Sequence, residues 1–301
     1  MFAKDQKSKL LIRVKIMNSK GASFTPINQA HAIVEVVMFV QFEQEFDDSS
    51  IQKLLELAQD LKTELPQGKM VQRFEATATF ELGKLQSQNM PTSIKAVGVD
   101  LQSTKNDDTI AWRLFTTNNT FSVHCLDYST WIDVWNQAKQ YLYKAFQKIG
   151  ETNNKISIMG LKYIDRFLYE GHEEEYTASD LFNINTDLIF RYAFSSIPIW
   201  HNNVGWFENL EEIGACLNQL NISTVYENIS GEQKHITIID HNAVYREEVP
   251  KDFPLIVGNK DDINTSLHRT MNALHSMNKR VLTRLLTEQM ARRINLNAGV
   301  A

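Results

Sequence analysis

The chain has 301 residues, 43% of them hydrophobic and 22% charged, with 31 Lys and Arg against 36 Asp and Glu for a formal net charge of −5. This is a globular composition, which excludes a disordered, collagen-like or low-complexity chain, and the net acidity excludes a basic coat for nucleic acid. Two cysteines, Cys125 and Cys216, are too few for a disulfide framework and suit a reducing compartment.

The first ten residues are polar and lack the apolar core of a signal peptide. No apolar run approaches the ~20 residues of a membrane span. A soluble, cytoplasmic chain without a membrane partner is expected.

In chain order, residues 10–17 alternate as a short strand, and 32–42 form the strongest strand signal, β-branched, aromatic and almost continuously apolar. Asp47-Asp48 and Ser49-Ser50 precede a helical spacing of Ile51, Leu54, Leu55, Ala58, Leu61 and Leu65, stopped by Pro66 and Gly68. Extended segments follow at 70–82, 94–102, 110–117 and 120–126, the last two joined through Asn118-Asn119. A second helix is predicted over 130–149, with Trp131, Trp135, Ala138, Leu142, Phe146 and Ile149 on one stripe. Residues 150–154 mark an internal boundary.

The pattern then restarts with a strand at 155–167, a short helix at 177–182 and an indistinct segment at 188–193. Residues 195–210, with two Trp, Pro198 and Gly205, read as a loop packed by aromatics. Strands at 216–226 and 234–245 flank a turn at 228–232, and Asp261-Asp262 open a helix running to about 295. The expected fold class is α+β: an N-terminal extension over 1–27, then two similar halves, 28–150 and 151–301. Each half is expected to form its own antiparallel sheet covered by helices.

Sequence motifs that would identify an enzyme are missing. There is no Gly-x-x-x-x-Gly-Lys-Ser/Thr, Gly-x-Gly-x-x-Gly, His-Glu-x-x-His, paired Cys-x-x-Cys or Gly-x-Ser-x-Gly. His124 and Cys125 are neighbours on a strand and therefore face opposite ways, a poor nucleophile–base pair. His235 and His241 share a strand face but stand too far apart for one metal. His172 with Glu173–Glu175 reads as a solvated acidic loop. No metal site and no cofactor are expected.

Two binding features remain. Trp200, Asn202, Asn203 and Trp206 have the composition of a pocket or interface loop. On the last helix Arg269, Lys279, Arg280 and Arg284 form a basic face; residues 268–301 carry six Lys and Arg against Glu288, a local +5. Such a face suits phosphates or an acidic partner. An alternative enzyme site between the halves would draw on Lys162, Asp165, Arg166, His235 and His241, acting on nucleic acid or a nucleotide.

Three segments together resemble a sporadically distributed bacterial family without an established activity: residues 32–42 its opening strand, Gly160 to Arg166 its mid-chain Leu-Arg-Tyr-Ile-Asn segment, and Leu274 to Glu288 its closing Leu-His…Thr-Glu helix. The similarity spans about 28 to 293, with Lys162 and Asp165 standing where the family has Arg and Asn. It transfers no catalytic residue, and the family's patchy occurrence implies a mobile-element setting such as phage defence or toxin–antitoxin cassettes. The expected function is a non-catalytic macromolecule-binding protein, its partner another protein, with nucleic acid through the C-terminal helix as a further partner. A homo-oligomer pairing through exposed strand edges is a third reading.

Overall fold

The computed structural model describes residues 23–76, 92–150, 154–195, 197–246 and 260–296. The predicted strand at 10–17 lies outside them, as does the end of the predicted segment 70–82.

Strand β1 (Phe24–Pro26) is followed by β2 (Ile33–Phe42), helices α1 (Asp48–Leu55) and α2 (Leu57–Asp60), and strands β3 (Gln67–Ala76), β4 (Thr92–Thr104), β5 (Ile110–Thr117) and β6 (Thr120–Cys125). Helix α3 (Trp131–Ile149) leads to β7 (Ile156–Tyr169), β8 (His201–Leu210), β9 (Gly214–Ile229) and β10 (Glu232–Arg246), and the chain ends in α4 (Lys260–Leu285) and α5 (Glu288–Arg293). Local chemistry sets these limits. Asp47 caps α1 by accepting from the Ser50 amide at 2.7 Å, and Thr130 caps α3 by accepting from the Asp133 amide at 3.3 Å. The β9–β10 turn places Ser230 and Gly231 at φ of 54° and 87°, the left-handed geometry that lets a two-residue hairpin follow the strand twist.

All ten strands belong to one antiparallel sheet in the order β3-β4-β5-β6-β2-β7-β10-β9-β8, with β1 also on β7. The α+β class is as expected, but the two separate sheets are not. β2 and β7 pair directly from Ile33↔Asp165 to Phe42↔Ile156, which joins the two expected sheets into one. Within the segment read as a loop, His201–Leu210 instead forms edge strand β8, paired with β9 from His201↔Ser223 to Leu210↔Gly214. Gly205 stays in the ladder, opposite Gln219.

The described helices pack on one face of the sheet. Val36, Met38, Val40 and Phe42 of β2 meet Trp135, Leu142 and Phe146 of α3 in one apolar cluster. Phe167 and Tyr169 of β7 join Phe24, Phe182, Trp200 and the end of α4 in a second. Helix α4 spans both, with Met271, Leu274 and Met277 in the first and Val281, Leu282 and Leu285 in the second. The helix predicted to run to 295 breaks at Leu286 and Thr287. The Asn183 amide takes the Leu285 carbonyl at 2.9 Å, and Thr287 restarts the helix by accepting from the Met290 amide at 3.3 Å. The opposite face of the sheet carries ion pairs: Arg113 with Asp100, Lys162 with Asp240 and Arg166 with Glu227.

Candidate ligand cavity beneath helix α4

Where the two clusters meet, the covered face holds a cavity of about 400 Å³. Its floor is β7, whose alternate residues Met159, Leu161, Tyr163, Asp165, Phe167 and Tyr169 all point toward the helices and are buried. Asp165 is the one carboxylate in that inward row. The turn before β2 supplies His31, the segment capping α3 supplies Tyr128 and Trp131, and α4 supplies His275, Asn278 and Lys279. Beside Asp165 the register of β2 shifts between Ile33 and Glu35, so Val34 is an extra residue opposite a single step of β7. Such a bulge bends a strand and re-aims its side chains.

Asp165 is 2% exposed, and its Oδ2 has no hydrogen-bond partner among the described residues. Burial pushes its pKa up to about 7. A carboxylate withdrawn from water without a partner costs several kcal/mol by transfer estimates, so folding alone gives no reason for it here. His31 Nδ1 is likewise buried and unpartnered, with its ring edge-on to Tyr128 at 5.4 Å between centroids. Burial lowers its pKa and outweighs the nearby backbone groups of Tyr128 and Ile33, which favour the charged form.

The remaining wall is rigidly built. The Tyr163 hydroxyl lies 2.8 Å from His275 Nδ1, and the His275 ring stacks on Trp131 at 4.3 Å and 7°. Burial, helped by the Lys279 charge, lowers the His275 pKa to about 4, so the imidazole is neutral at pH 7. Trp131 donates to Asn272 Oδ1 at 2.8 Å and Trp135 to His268 Nδ1 at 2.7 Å, which fixes α3 against α4 on this side. The cavity therefore has a fixed aromatic wall and an unsatisfied polar floor.

Of the predicted enzyme-site residues, only Asp165 reaches this cavity. Lys162 and Arg166 lie on the opposite face in their ion pairs. His235 donates from Nε2 to the Pro198 carbonyl at 2.8 Å, inside a ring of Tyr169, Tyr176 and Tyr226. His241 is buried between Asn278 at 2.7 Å and Asn218 at 2.9 Å. Burial lowers its pKa, and a neutral ring donates from one nitrogen only, so one amide presents its NH2 to it.

The predicted aromatic-loop residues separate. Trp200 is buried and donates to the Tyr176 hydroxyl at 3.0 Å; Asn202 is buried, accepting from the Phe190 amide at 3.2 Å and donating to the Leu188 carbonyl at 3.1 Å. Trp206 is half-buried, its ring nearly parallel to His241 at 6.4 Å, while Asn203 faces the other way, exposed. On α4, Arg280 pairs with Glu208 at 3.0 Å and Arg284 with Asp187 at 2.9 Å, so the chain supplies acidic partners to both. Arg269 is exposed, and Lys279 lines the cavity.

The sequence reading missed His31, Tyr128, Trp131, Tyr163 and His275 as one group. The available signal was Asp165, a carboxylate at an inward position of an otherwise apolar or aromatic alternation. Among the described residues no group of three or more His, Cys, Asp and Glu could hold a metal ion. Cys125 and Cys216 are buried, with thiol pKa values pushed up to about 11 and about 12 by burial. No described helix is long and apolar enough to cross a membrane. Comparison with protein-family models, with curated proteins and with solved structures finds no match for the chain.

Proposed function

We propose that the chain is a binding protein whose working site is the cavity over Asp165, and that it takes a small ligand bearing a cationic, hydrogen-bond-donating group such as an amine, amidine or guanidinium. The observation that carries this is Asp165, which lines the cavity and whose buried Oδ2 has no hydrogen-bond partner among the described residues. A donor group there would supply the missing hydrogen bond and the opposite charge together. The aromatic surface of Trp131 and Tyr128 suits the apolar body of such a ligand. A volume of about 400 Å³ falls in the range of small-molecule sites, which favours a small ligand over the macromolecular partner expected from sequence.

The sheet order supports reading 28–150 and 151–301 as two similar halves, each a meander whose last strand returns beside its own first strand, with the cavity at their seam. A thermal-shift and calorimetric panel of amines, amidines, guanidines and uncharged analogues tests the site. At least one cation should stabilise the natural chain, and Asp165→Asn should weaken its binding tenfold or more. Equal binding by the variant would overturn the assignment.

A further inference from the structure

On the opposite face of the sheet, away from the cavity, β2 and β6 bring together three residues that the sequence does not present as a motif. His124 and Ser122 are two apart on β6 and so share a face. Glu35 reaches the same face from neighbouring β2. Ser122 Oγ lies 3.1 Å from His124 Nε2, and His124 Nδ1 lies 2.7 Å from Glu35 Oε1. These are the contacts of a nucleophile, a base and a carboxylate that orients the base, an arrangement recognised by geometry and independent of sequence order or fold.

We propose that Ser122, His124 and Glu35 form a nucleophilic acyl-transfer site whose substrates are carboxylic esters with an apolar or aromatic acyl group. Glu35 accepts from Nδ1–H, which leaves the Nε2 lone pair directed at Ser122, the tautomer a general base requires. Glu35 is held below the usual carboxylate range, first by the His124 hydrogen bond, which outweighs the opposing effect of burial, and then by the neighbouring His124, Lys162 and Arg113 charges. Ser122 Oγ also lies 3.3 Å from the Phe115 carbonyl, but its single proton has its shorter acceptor in Nε2.

The surroundings provide the other parts. Ser122 pairs laterally with Phe115 on one side and Phe39 on the other. The Phe39 ring leans over Gly160, where an added Cβ would meet ring carbons at 2.0 Å. Phe115 thus flanks Ser122, and its ring together with the Phe39 ring over β7 offers an apolar surface for an acyl chain. The Arg113 guanidinium sits 4.6 Å over the Phe115 ring; its Nε and Nη2 bind Asp100 at 2.7 and 2.9 Å, leaving the two N–H groups of Nη1 outside that pair. Nη1 is the assigned donor to a developing oxyanion.

In the first step Ser122 Oγ bonds to the ester carbonyl carbon as its proton passes to His124 Nε2. The tetrahedral adduct collapses, the bond to the leaving oxygen breaks, and His124 returns the proton to the departing alcohol. Water then attacks the acyl-serine and gives a proton to Nε2. Collapse restores the Ser122 hydroxyl with that proton and releases the carboxylic acid. The net reaction is ester plus water to acid plus alcohol.

The test is covalent labelling of the full chain with a fluorophosphonate, located by peptide mass spectrometry, together with p-nitrophenyl butyrate hydrolysis. The expected result is one label per chain at Ser122 and none in Ser122→Ala. His124→Ala should slow labelling and hydrolysis by about 10²–10⁴-fold, and Glu35→Gln should slow both at an unchanged melting temperature. No label on the natural chain at Ser122, under conditions that label a reference serine esterase, overturns the proposal. So does a lower melting temperature in His124→Ala with an unchanged labelling rate, which would mark the three residues as a structural network.

Discussion

Asp165 and His275 face the same cavity but respond to pH with opposite signs. The folded Asp165 pKa is raised from 3.8 to about 7, so below pH 4 its carboxyl is protonated in both folded and unfolded chains. As pH rises from 4 toward 7 only the unfolded chain ionises, and stability falls by roughly 4 kcal/mol before levelling off. The folded His275 pKa is lowered from 6.5 to about 4, so its contribution is complete above pH 6.5 and is lost by roughly 3 kcal/mol as pH falls to 4. In the natural chain the two slopes offset each other. Urea titrations at pH 4.5, 5.5 and 7 should show Asp165→Asn gaining stability over the natural chain as pH rises. Parallel curves at all three values would mean that the carboxyl finds a partner in the folded protein. The same carboxyl sets the pH dependence of binding: a cation holds it ionised, so each binding event below pH 7 releases a proton, and apparent affinity should weaken about tenfold per unit there. Calorimetry in buffers of different ionisation enthalpy measures that proton directly; a pH-independent affinity with no proton released would place the cation elsewhere.

Elements were readable from sequence where one face was apolar over several turns or steps, and were obscured where tertiary packing replaced that pattern. α3, β9 and β10 announce themselves by period, and β2 by an almost unbroken apolar run. β8 does not, because an edge strand places exposed Asn203, Gly205 and Phe207 between inward residues, and Pro198 just before it suggests a loop. The end of α4 was hidden for another reason: its stop is made by residues 181–183, about a hundred positions away. Asp165 could be placed on the inward face from alternation alone. Its companions His31, Tyr128 and His275 come from three other segments, and no local period connects them. Strand β4 shows how such distant contacts govern single positions. Its register with β3 shifts at Val97, and a Cβ on adjacent Gly98 would stand 2.0 Å from the Thr116 carbonyl oxygen of β5. Gly98→Ala must therefore push β4 from its neighbour, and chemical denaturation should show a loss of about 2 kcal/mol or more. A neutral substitution would mean that the bulge relaxes without breaking the ladder.

At the scale of the molecule, the β2–β7 seam and helix α4 join what sequence order presents as two halves. Local patterns say which face of a strand is buried but not which strand lies beside it, so the single sheet was out of reach of the sequence. The joining has a mechanical consequence. α4 puts Leu274, fully buried, in the first apolar cluster and Leu285, fully buried, in the second. A cavity made at Leu274 should weaken both clusters together, because α4 is the helix that contributes buried residues to both. Leu274→Ala is expected to cost about 2–5 kcal/mol. The two sides can be read separately, since Trp112, Trp131 and Trp135 lie in or against the first cluster while Trp200 and Trp206 lie in or against the second. Replacing Trp112, Trp131 and Trp135 by Phe, or Trp200 and Trp206 by Phe, leaves fluorescence that reports the other side. In both backgrounds Leu274→Ala should lower the urea midpoint by the same amount, with one transition that coincides with loss of circular dichroism. A lowered midpoint on the Trp131 side alone would show that the halves unfold independently. The cavity would then lie between two separately stable bodies, and ligand binding should stabilise each of them only in the other's presence.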